Sequence, residues 1–217
     1  VSYGFRGVFL YHLFMPDENT NFNEPPLKPS RLRVAALFLF ELMKVIVMAG
    51  VTIALIRYFL FKPFYVKGAS MEPNFLDHEY LIVDELSYRL RVPERGEVVV
   101  FKYPNNHQEY FLKRLIGLPG ERIKISEGKV TVYNTSHPEG VTIDESYLPG
   151  DLLTAGGNQT VTLQEGEYFV LGDNRDNSFD SRRFGAVNKS LIVGRAFFRG
   201  WPFTRIQKFS APSFNNL

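Results

Sequence analysis

One long apolar run near the start of the chain constrains the fold more than any other feature. "RVAALFLFELMKVIVMAGVTIALIRYFLF" covers residues 33–61, and no charged residue lies between Val45 and Ile56. As a helix, residues 34–61 would be about 42 Å long at ~1.5 Å per residue, which is enough to cross a bilayer with some tilt. A buried core helix is the alternative, but no later segment has the helical periodicity of a packing partner. We therefore predict one transmembrane helix over residues 34–61.

The charges around this run predict its orientation. Four basic residues precede its uncharged part: Lys28, Arg31, Arg33 and Lys44. Lysine and arginine beside a span usually stay on the cytoplasmic side. Residues 1–33 are therefore expected to be a cytoplasmic segment and linker, and residues 62–217 are expected outside the cell membrane, which the chain crosses once.

Composition excludes several kinds of partner and site. Of the 25 Lys/Arg and 23 Asp/Glu residues, six and four lie in residues 1–61, so residues 62–217 hold 19 of each and give no reason to expect a nucleic acid partner. The absence of cysteine excludes disulfides, thiol nucleophiles and cysteine-based metal sites. The four histidines are not clustered, so we expect no metal and no cofactor. They are His12, His78, His107 and His137.

After residue 62 the sequence has the pattern of an antiparallel β domain. Short runs rich in Val, Ile, Phe, Tyr and Thr, such as "YLIVDEL" and "GEVVVFKY", are separated by Gly, Pro and Asn. "SEGKV", residues 126–130, predicts a tight hairpin. We expect an antiparallel barrel or sandwich over residues 62–207, followed by a disordered tail over residues 208–217.

Lys113 stands inside an apolar run, where a charged side chain is unexpected. Phe111 and Leu112 precede it, and Leu115 and Ile116 follow shortly after. Burial among such residues would lower the pKa of the amine, and a neutral amine can take a proton from a serine hydroxyl. From the residues alone, a solvent-facing strand lysine is the commoner case, so both interpretations stay open here.

Two further stretches carry candidate chemistry. "VKGASMEPNF" contains Ser70 after the small residues Gly68 and Ala69, which leave room for a substrate backbone beside the hydroxyl. An ordinary Gly-Ser loop is the alternative. "GDNRDNSFDSRRFG", residues 172–185, is either a solvated loop or a network of charge-assisted hydrogen bonds beside a site. Because only His78 lies near a candidate serine, the sequence gives little support to a Ser-His-Asp triad.

In their order and spacing, these stretches resemble the bacterial type I signal peptidases, which are membrane-anchored Ser-Lys proteases that remove secretory signal peptides. A membrane span is followed by "GASMEP", "RGEVVVFKYP", "FLKRLIGLPGE" and "GDNRDNSFDSR", and the resemblance covers roughly residues 34–202. It implies a mainly β fold, with an antiparallel barrel-like catalytic domain after one N-terminal transmembrane helix.

The resemblance also implies roles for individual residues. Ser70 would be the nucleophile, with its backbone N–H donating to the oxyanion, and Lys113 would be the general base. Ser178 would hydrogen-bond the lysine amine, and Asp180 would pair with Arg182 to hold that loop. The chain departs from the family pattern at two positions. Gly68 stands where some members have a serine that helps bind the oxyanion, and Asn74 stands where a threonine is usual, which puts the local hydrogen bonding in doubt.

The implied substrates are secretory preproteins cut after a small-x-small motif. Shallow apolar pockets would select the small residues, and the substrate strand would pair with residues 64–68 and 111–113. Five residues are the candidates for the pocket walls: Phe64, Val66, Met71, Phe111 and Leu112. The other expected partner is membrane lipid, and the chain is expected to be a monomer.

Two other functions stay open at this point. A self-cleaving repressor-type Ser-Lys protease would share the chemistry, although it would be soluble and would carry a DNA-binding head. A catalytically inactive, membrane-tethered β domain that binds extracytoplasmic ligands would share the architecture.

Overall fold

The structure is a computed structural model that describes residues 30–59, 61–150, 152–155 and 158–214. The chain divides into two compact units, Val1–Ala49 and Gly50–Leu217. Most of the expected cytoplasmic segment, residues 1–29, lies outside the described residues. The division into a cytoplasmic segment, a span, a catalytic domain and a tail stays a prediction.

The apolar run forms helix α1, Arg31–Phe59. Ser30 caps its first turn, since its Oγ accepts a hydrogen bond from the backbone N–H of Arg33 at 3.3 Å. The helix starts three residues before the expected span and stops before residue 61, because Phe61 already belongs to a strand. By length and composition the stretch Arg31–Leu55 is able to cross a membrane, and its residues are exposed in the structure.

The rest of the described chain consists of short strands and turns. The strands are β1 (Phe61–Tyr65), β2 (Tyr80–Asp84), β3 (Val98–Tyr103), β4 (Asn106–Gly117), β5 (Arg122–Ser126), β6 (Lys129–Tyr133), β7 (Val141–Thr142), β8 (Gln159–Thr162), β9 (Glu167–Leu171), β10 (Val187–Asn188), β11 (Ile192–Trp201) and β12 (Gln207–Lys208). Two short helices, α2 (Ser87–Leu90) and α3 (Ser181–Phe184), and two 3₁₀ turns, Lys189–Leu191 and Phe203–Arg205, complete the elements.

The strands form two antiparallel sheets. In the larger sheet the strand order is β1-β2-β11-β3-β4-β9-β10, with β12 paired to β11, and in the smaller sheet it is β7-β6-β5-β8. Each described strand pairing is antiparallel. The predicted fold class, a mainly antiparallel β domain after one apolar helix, is confirmed.

The hairpin expected at residues 126–130 joins β5 to β6 in the smaller sheet. Ser126 pairs with Lys129, so Glu127 and Gly128 form a two-residue loop. Both residues have positive φ, 53° and 74°, as a type I′ turn requires. Local turn chemistry was sufficient to predict this element.

The core beneath the loop between β1 and β2 is apolar, and it places that loop. Met71 and Phe75 are each 1% exposed and belong to one buried cluster with Val66, Leu81 and other apolar side chains. Burying two large side chains of one short loop holds its backbone on the sheet. The intervening residues are therefore presented from a rigid base.

The C-terminal residues differ from the expected disordered tail. The ring of Phe209 lies 4.5 Å from the ring of Phe75, and its backbone N–H donates to the carbonyl oxygen of Phe197 at 2.9 Å. Phe214 contacts the ring of Tyr147. Two aromatic side chains in a polar segment gain apolar burial by packing on the domain, so this part of the predicted tail contacts it. Residues 215–217 of the predicted tail lie outside the described residues.

Candidate active site

Ser70 lies in the loop that leaves β1 and returns to β2. The base of this loop is closed by two backbone hydrogen bonds, from Val66 to Glu79 at 2.8 Å and from His78 to Val66 at 3.1 Å. Among the described residues, the backbone N–H of Ser70 donates to no protein acceptor. The geometry therefore leaves this donor available for a substrate atom.

Lys113 lies on β4, paired with Val99 of β3, and is only 4% exposed. Its Nζ atom lies 2.8 Å from Ser70 Oγ and donates to the carbonyl oxygen of Leu112 at 2.9 Å. The fold thus brings together two side chains that are 43 positions apart in the sequence.

The environment of Lys113 favours the neutral amine. Burial lowers the pKa of this lysine from 10.5 to about 8, although the Asp180 and Asp173 carboxylates act in the opposite direction. An amine with this pKa is partly unprotonated near neutral pH, so it is able to accept the proton of the serine hydroxyl. The strand lysine is therefore buried beside a nucleophile and does not face solvent.

Ser178 differs in one respect from its expected role. Its side chain is buried close to Gly172, and its Oγ forms no hydrogen bond to the lysine amine or to any other group of the described residues. The amine instead contacts Ser70 and Leu112. The Ser178 hydroxyl lies near Asp180 and helps to hold the pKa of that carboxyl below its ordinary value.

Asp180 and Arg182 form the expected ion pair. Arg182 donates through Nε and Nη2 to the two carboxylate oxygens, each at 2.8 Å, and its Nη2 also donates to the Arg175 carbonyl at 2.6 Å. Burial by itself raises the pKa of Asp180, but hydrogen bonds from Arg182 and the Gly172 N–H outweigh it and hold the pKa below its ordinary value. Arg182 thus joins Asp180 and Arg175 within one loop, and Asp180 is close enough to act on the charge of Lys113.

A second buried ion pair, Arg114 with Asp173, was not anticipated from the sequence. Arg114 donates to both oxygens of Asp173 at 2.8 and 2.6 Å, and Asp173 is fully buried. Asn74, where the sequence left the hydrogen bonding in doubt, donates to Asp173 and to the Tyr147 carbonyl, each at 2.9 Å. The sequence signals were an arginine next to Lys113 within an apolar strand and the charged stretch over residues 172–185, which contains Asp173.

A cavity of about 240 Å³ opens beside Ser70 and Lys113. All five pocket candidates line it: Phe64, Val66, Met71, Phe111 and Leu112. Tyr110 and Phe179 also line it and were not anticipated. In the described structure β1 pairs only with β2, and residues 110–112 of β4 pair only with β3. The cavity therefore lies beside strand edges that offer unpaired backbone groups to an extended peptide.

The described residues offer neither a metal site nor a histidine base. They contain no group of three or more His, Asp or Glu side chains arranged to hold a metal ion. His78 contacts Asp77 and Tyr65 rather than Ser70. The chemistry available at this site is therefore that of a serine hydroxyl, a buried amine and a free backbone N–H.

Comparison with known proteins relates the chain to one family of enzymes. Residues 39–201 match the family model described as signal peptidase, peptidase S26. The chain is 40% identical over 171 residues to a probable signal peptidase I-2 of Synechocystis, covering 76% of this chain and 75% of the relative. It is 35% identical over 173 residues to signal peptidase IB of Staphylococcus aureus, covering 75% and 89%. A crystal structure of a signal peptidase I from Enterococcus faecalis aligns with 31% identity and a TM-score of 0.40, over 48% of this chain and 97% of that one.

Proposed function

The chain belongs to the signal peptidase family, peptidase S26, and from this premise we propose that Ser70 and Lys113 carry its reaction. It is a serine endopeptidase that removes signal peptides from secretory preproteins. The observation that carries the proposal is the 2.8 Å separation of Lys113 Nζ and Ser70 Oγ beside a cavity, with the lysine buried.

The proposed reaction is acyl transfer through an ester. Ser70 Oγ attacks the scissile carbonyl carbon as neutral Lys113 takes the hydroxyl proton, and the carbonyl oxygen becomes an oxyanion that accepts a hydrogen bond from the Ser70 N–H. As the C–N bond breaks, Lys113 gives the proton to the leaving amine. Lys113 then takes a proton from a water molecule, whose oxygen attacks the ester carbonyl carbon. As the ester C–O bond breaks, Lys113 returns that proton to Ser70 Oγ and the signal peptide leaves with a new carboxyl group.

The loop over residues 172–182 lies next to Ser70 and Lys113 and supports this chemistry. Hydrogen bonds from Arg182 keep the Asp180 carboxylate charged, and the Asp180 carboxylate accepts the Gly172 N–H at 3.0 Å. Gly172 lies between the two serines, since a Cβ on it would approach Ser178 Oγ to 2.1 Å and the Ser70 carbonyl oxygen to 2.5 Å. We propose that Ser178, Asp180 and Arg182 keep this close packing and thereby keep Lys113 out of water.

We propose that the cavity selects small residues at the cut. Most of the side chains that line it are apolar or aromatic, and Val66 and Met71 are buried, so they cannot withdraw to admit a large side chain. An extended substrate paired with the edges of β1 and β4 would place alternate side chains, the first and third before the cut, on the same side of its strand. We propose that both enter this cavity.

We further propose that α1 crosses the cell membrane once, with residues 1–33 in the cytoplasm and the β domain outside. The exposed apolar surface of the helix supports the crossing of the membrane. The four basic residues before its uncharged part support the orientation. Trp201 is 48% and Phe203 is 71% exposed on the domain, which supports a contact with membrane lipid. We propose that the enzyme works as a monomer.

The experiment that tests the assignment uses the purified full chain in detergent with lipid and one secretory preprotein. Wild type is expected to cut after a small-x-small motif, located by mass spectrometry, whereas Ser70→Ala and Lys113→Ala are expected not to cut. Lys129→Ala, which removes an exposed lysine on β6, is the matched control and should cut normally. Cleavage by Lys113→Ala would remove the lysine from its role, and an inactive wild type would favour a tethered binding domain.

A further inference from the structure

Asn174 contacts the nucleophile loop from the loop over residues 172–182. Its side-chain Nδ2 donates to the carbonyl oxygen of Ala69 at 3.0 Å, and its backbone N–H donates to the carbonyl oxygen of Ser70 at 3.1 Å. Its side-chain Oδ1 accepts the backbone N–H of Asn177 at 3.3 Å. These two hydrogen bonds fix the orientation of the side-chain amide, because one needs a donor and the other needs an acceptor. The NH₂ group therefore faces Ala69.

The carbonyl of Ala69 and the N–H of Ser70 belong to the same peptide group. Because a peptide group is planar and trans, these two bonds lie in one plane and point in opposite directions. A donor that holds the Ala69 oxygen therefore also sets the direction of the Ser70 N–H. The Glu72 N–H bonds the same oxygen at 3.2 Å, but it belongs to the nucleophile loop itself, whereas Asn174 comes from outside that loop.

We propose that Asn174 is a positioning residue that aims the Ser70 N–H at the oxyanion of the transition state. The inference rests on the proposed function, in which that N–H stabilises the oxyanion. A hydrogen bond to the carbonyl also polarises the N–H at the other end of the peptide, strengthening it by roughly 10–30%. The effect carries more weight in this chain, since Gly68 supplies no side-chain hydroxyl to share the oxyanion.

Asn174 also joins the oxyanion donor to the strand of the general base. Its neighbour Asp173 pairs with Arg114, and Arg114 directly follows Lys113 on β4. The same two-residue segment thus contacts both the peptide of the nucleophile and the strand of the base. A shift of this segment would change the distance between the two catalytic groups and the direction of the oxyanion donor together.

The test compares Asn174→Ala with Asn177→Ala in the full chain. Asn174→Ala removes the Nδ2 donor and keeps the backbone N–H, and position 174 is not among the residues with positive φ, so alanine is tolerated there. Removing an oxyanion donor outright costs about 100- to 1,000-fold in kcat, and for a donor that is only misaimed we expect a loss of about 10- to 100-fold with KM little changed. Asn177→Ala makes the same chemical change on an exposed side chain of the same loop and should behave as wild type.

Two further measurements separate aiming from a general loss of structure. A substrate-like peptide aldehyde forms a tetrahedral adduct with an oxyanion, so its inhibition constant should rise by the same factor by which kcat falls. The binding of the matching peptide alcohol, which forms no oxyanion, should stay unchanged, and so should the pH at which activity falls on the acid side. A wild-type kcat in Asn174→Ala, or equal weakening of aldehyde and alcohol, would overturn the inference. Either result is distinct from failure of the proposed function, which would show as cleavage by Ser70→Ala or Lys113→Ala.

Discussion

The buried amine of Lys113 makes the rate of cleavage strongly dependent on pH. With its pKa lowered by burial from 10.5 to about 8, roughly a tenth of the molecules carry a neutral amine at pH 7, against about 0.03% for a lysine that keeps the unshifted value. Burial therefore raises the reactive population about 300-fold. We expect kcat/KM to fall about tenfold for each pH unit below 8, and to be about 100-fold below its plateau at pH 6.

The same burial reduces the stability of the folded chain. Below pH 8 both the folded and the unfolded chain bind the proton, so the full cost of burying the ammonium is present, about 3 kcal/mol for a pKa lowered from 10.5 to about 8. Between those two values the unfolded chain binds more protons, so the free energy of unfolding rises with pH. Above about pH 10.5 the cost disappears. Lys113→Met should therefore be inactive yet more stable than wild type at pH 7 by up to about 3 kcal/mol.

The assay measures kcat/KM from pH 5 to 9 with a peptide substrate that has no group titrating in that range. Thermal unfolding of the purified full chain in detergent is measured at pH 7 and again at pH 10.5 or above, where the stability advantage of Lys113→Met should have vanished. Lys113→Arg is the second variant, and it should be as inactive as Lys113→Met because arginine does not deprotonate. Lys129→Met, at an exposed site, is the control and should change neither the rate nor the stability. A flat rate down to pH 5, turnover by Lys113→Arg, or a destabilised Lys113→Met at pH 7 would refute the reasoning.

Two further substitutions test the packing around the site. Gly172→Ala places a Cβ 2.1 Å from Ser178 Oγ and 2.5 Å from the Ser70 carbonyl oxygen, so we expect kcat to fall by about 100-fold; a rate near wild type in a kinetic assay would show that the loop yields easily. Arg114→Met leaves the fully buried Asp173 without its ion-pair partner, and we expect the free energy of unfolding to fall by about 3–5 kcal/mol. An unchanged unfolding midpoint would contradict the proposed importance of this pair.

Several features could be predicted because their determinants are local. The apolar run is a helix over Arg31–Phe59, and the length and composition of the run were sufficient to predict it. The turn at Glu127 and Gly128 forms because residues in the turn itself accept positive φ. The role of Ser70 and Lys113 was implied by the resemblance, and the residues around them left an ordinary loop and a solvent-facing lysine open.

The tertiary structure decided what depends on residues distant in the sequence. Whether Lys113 is exposed to solvent or buried depends on how β4 pairs with β3 and on where the loop after β1 lies over it. No local sequence pattern specifies either of these. The pairing of Arg114 with Asp173 joins positions 59 apart. The C-terminal aromatics pack on the domain because it offers them apolar surface. In this chain the sequence by itself determined the helix, the β pattern and the kinds of reactive group. The fold decided the desolvation of the lysine, because desolvation is a property of the whole surrounding structure.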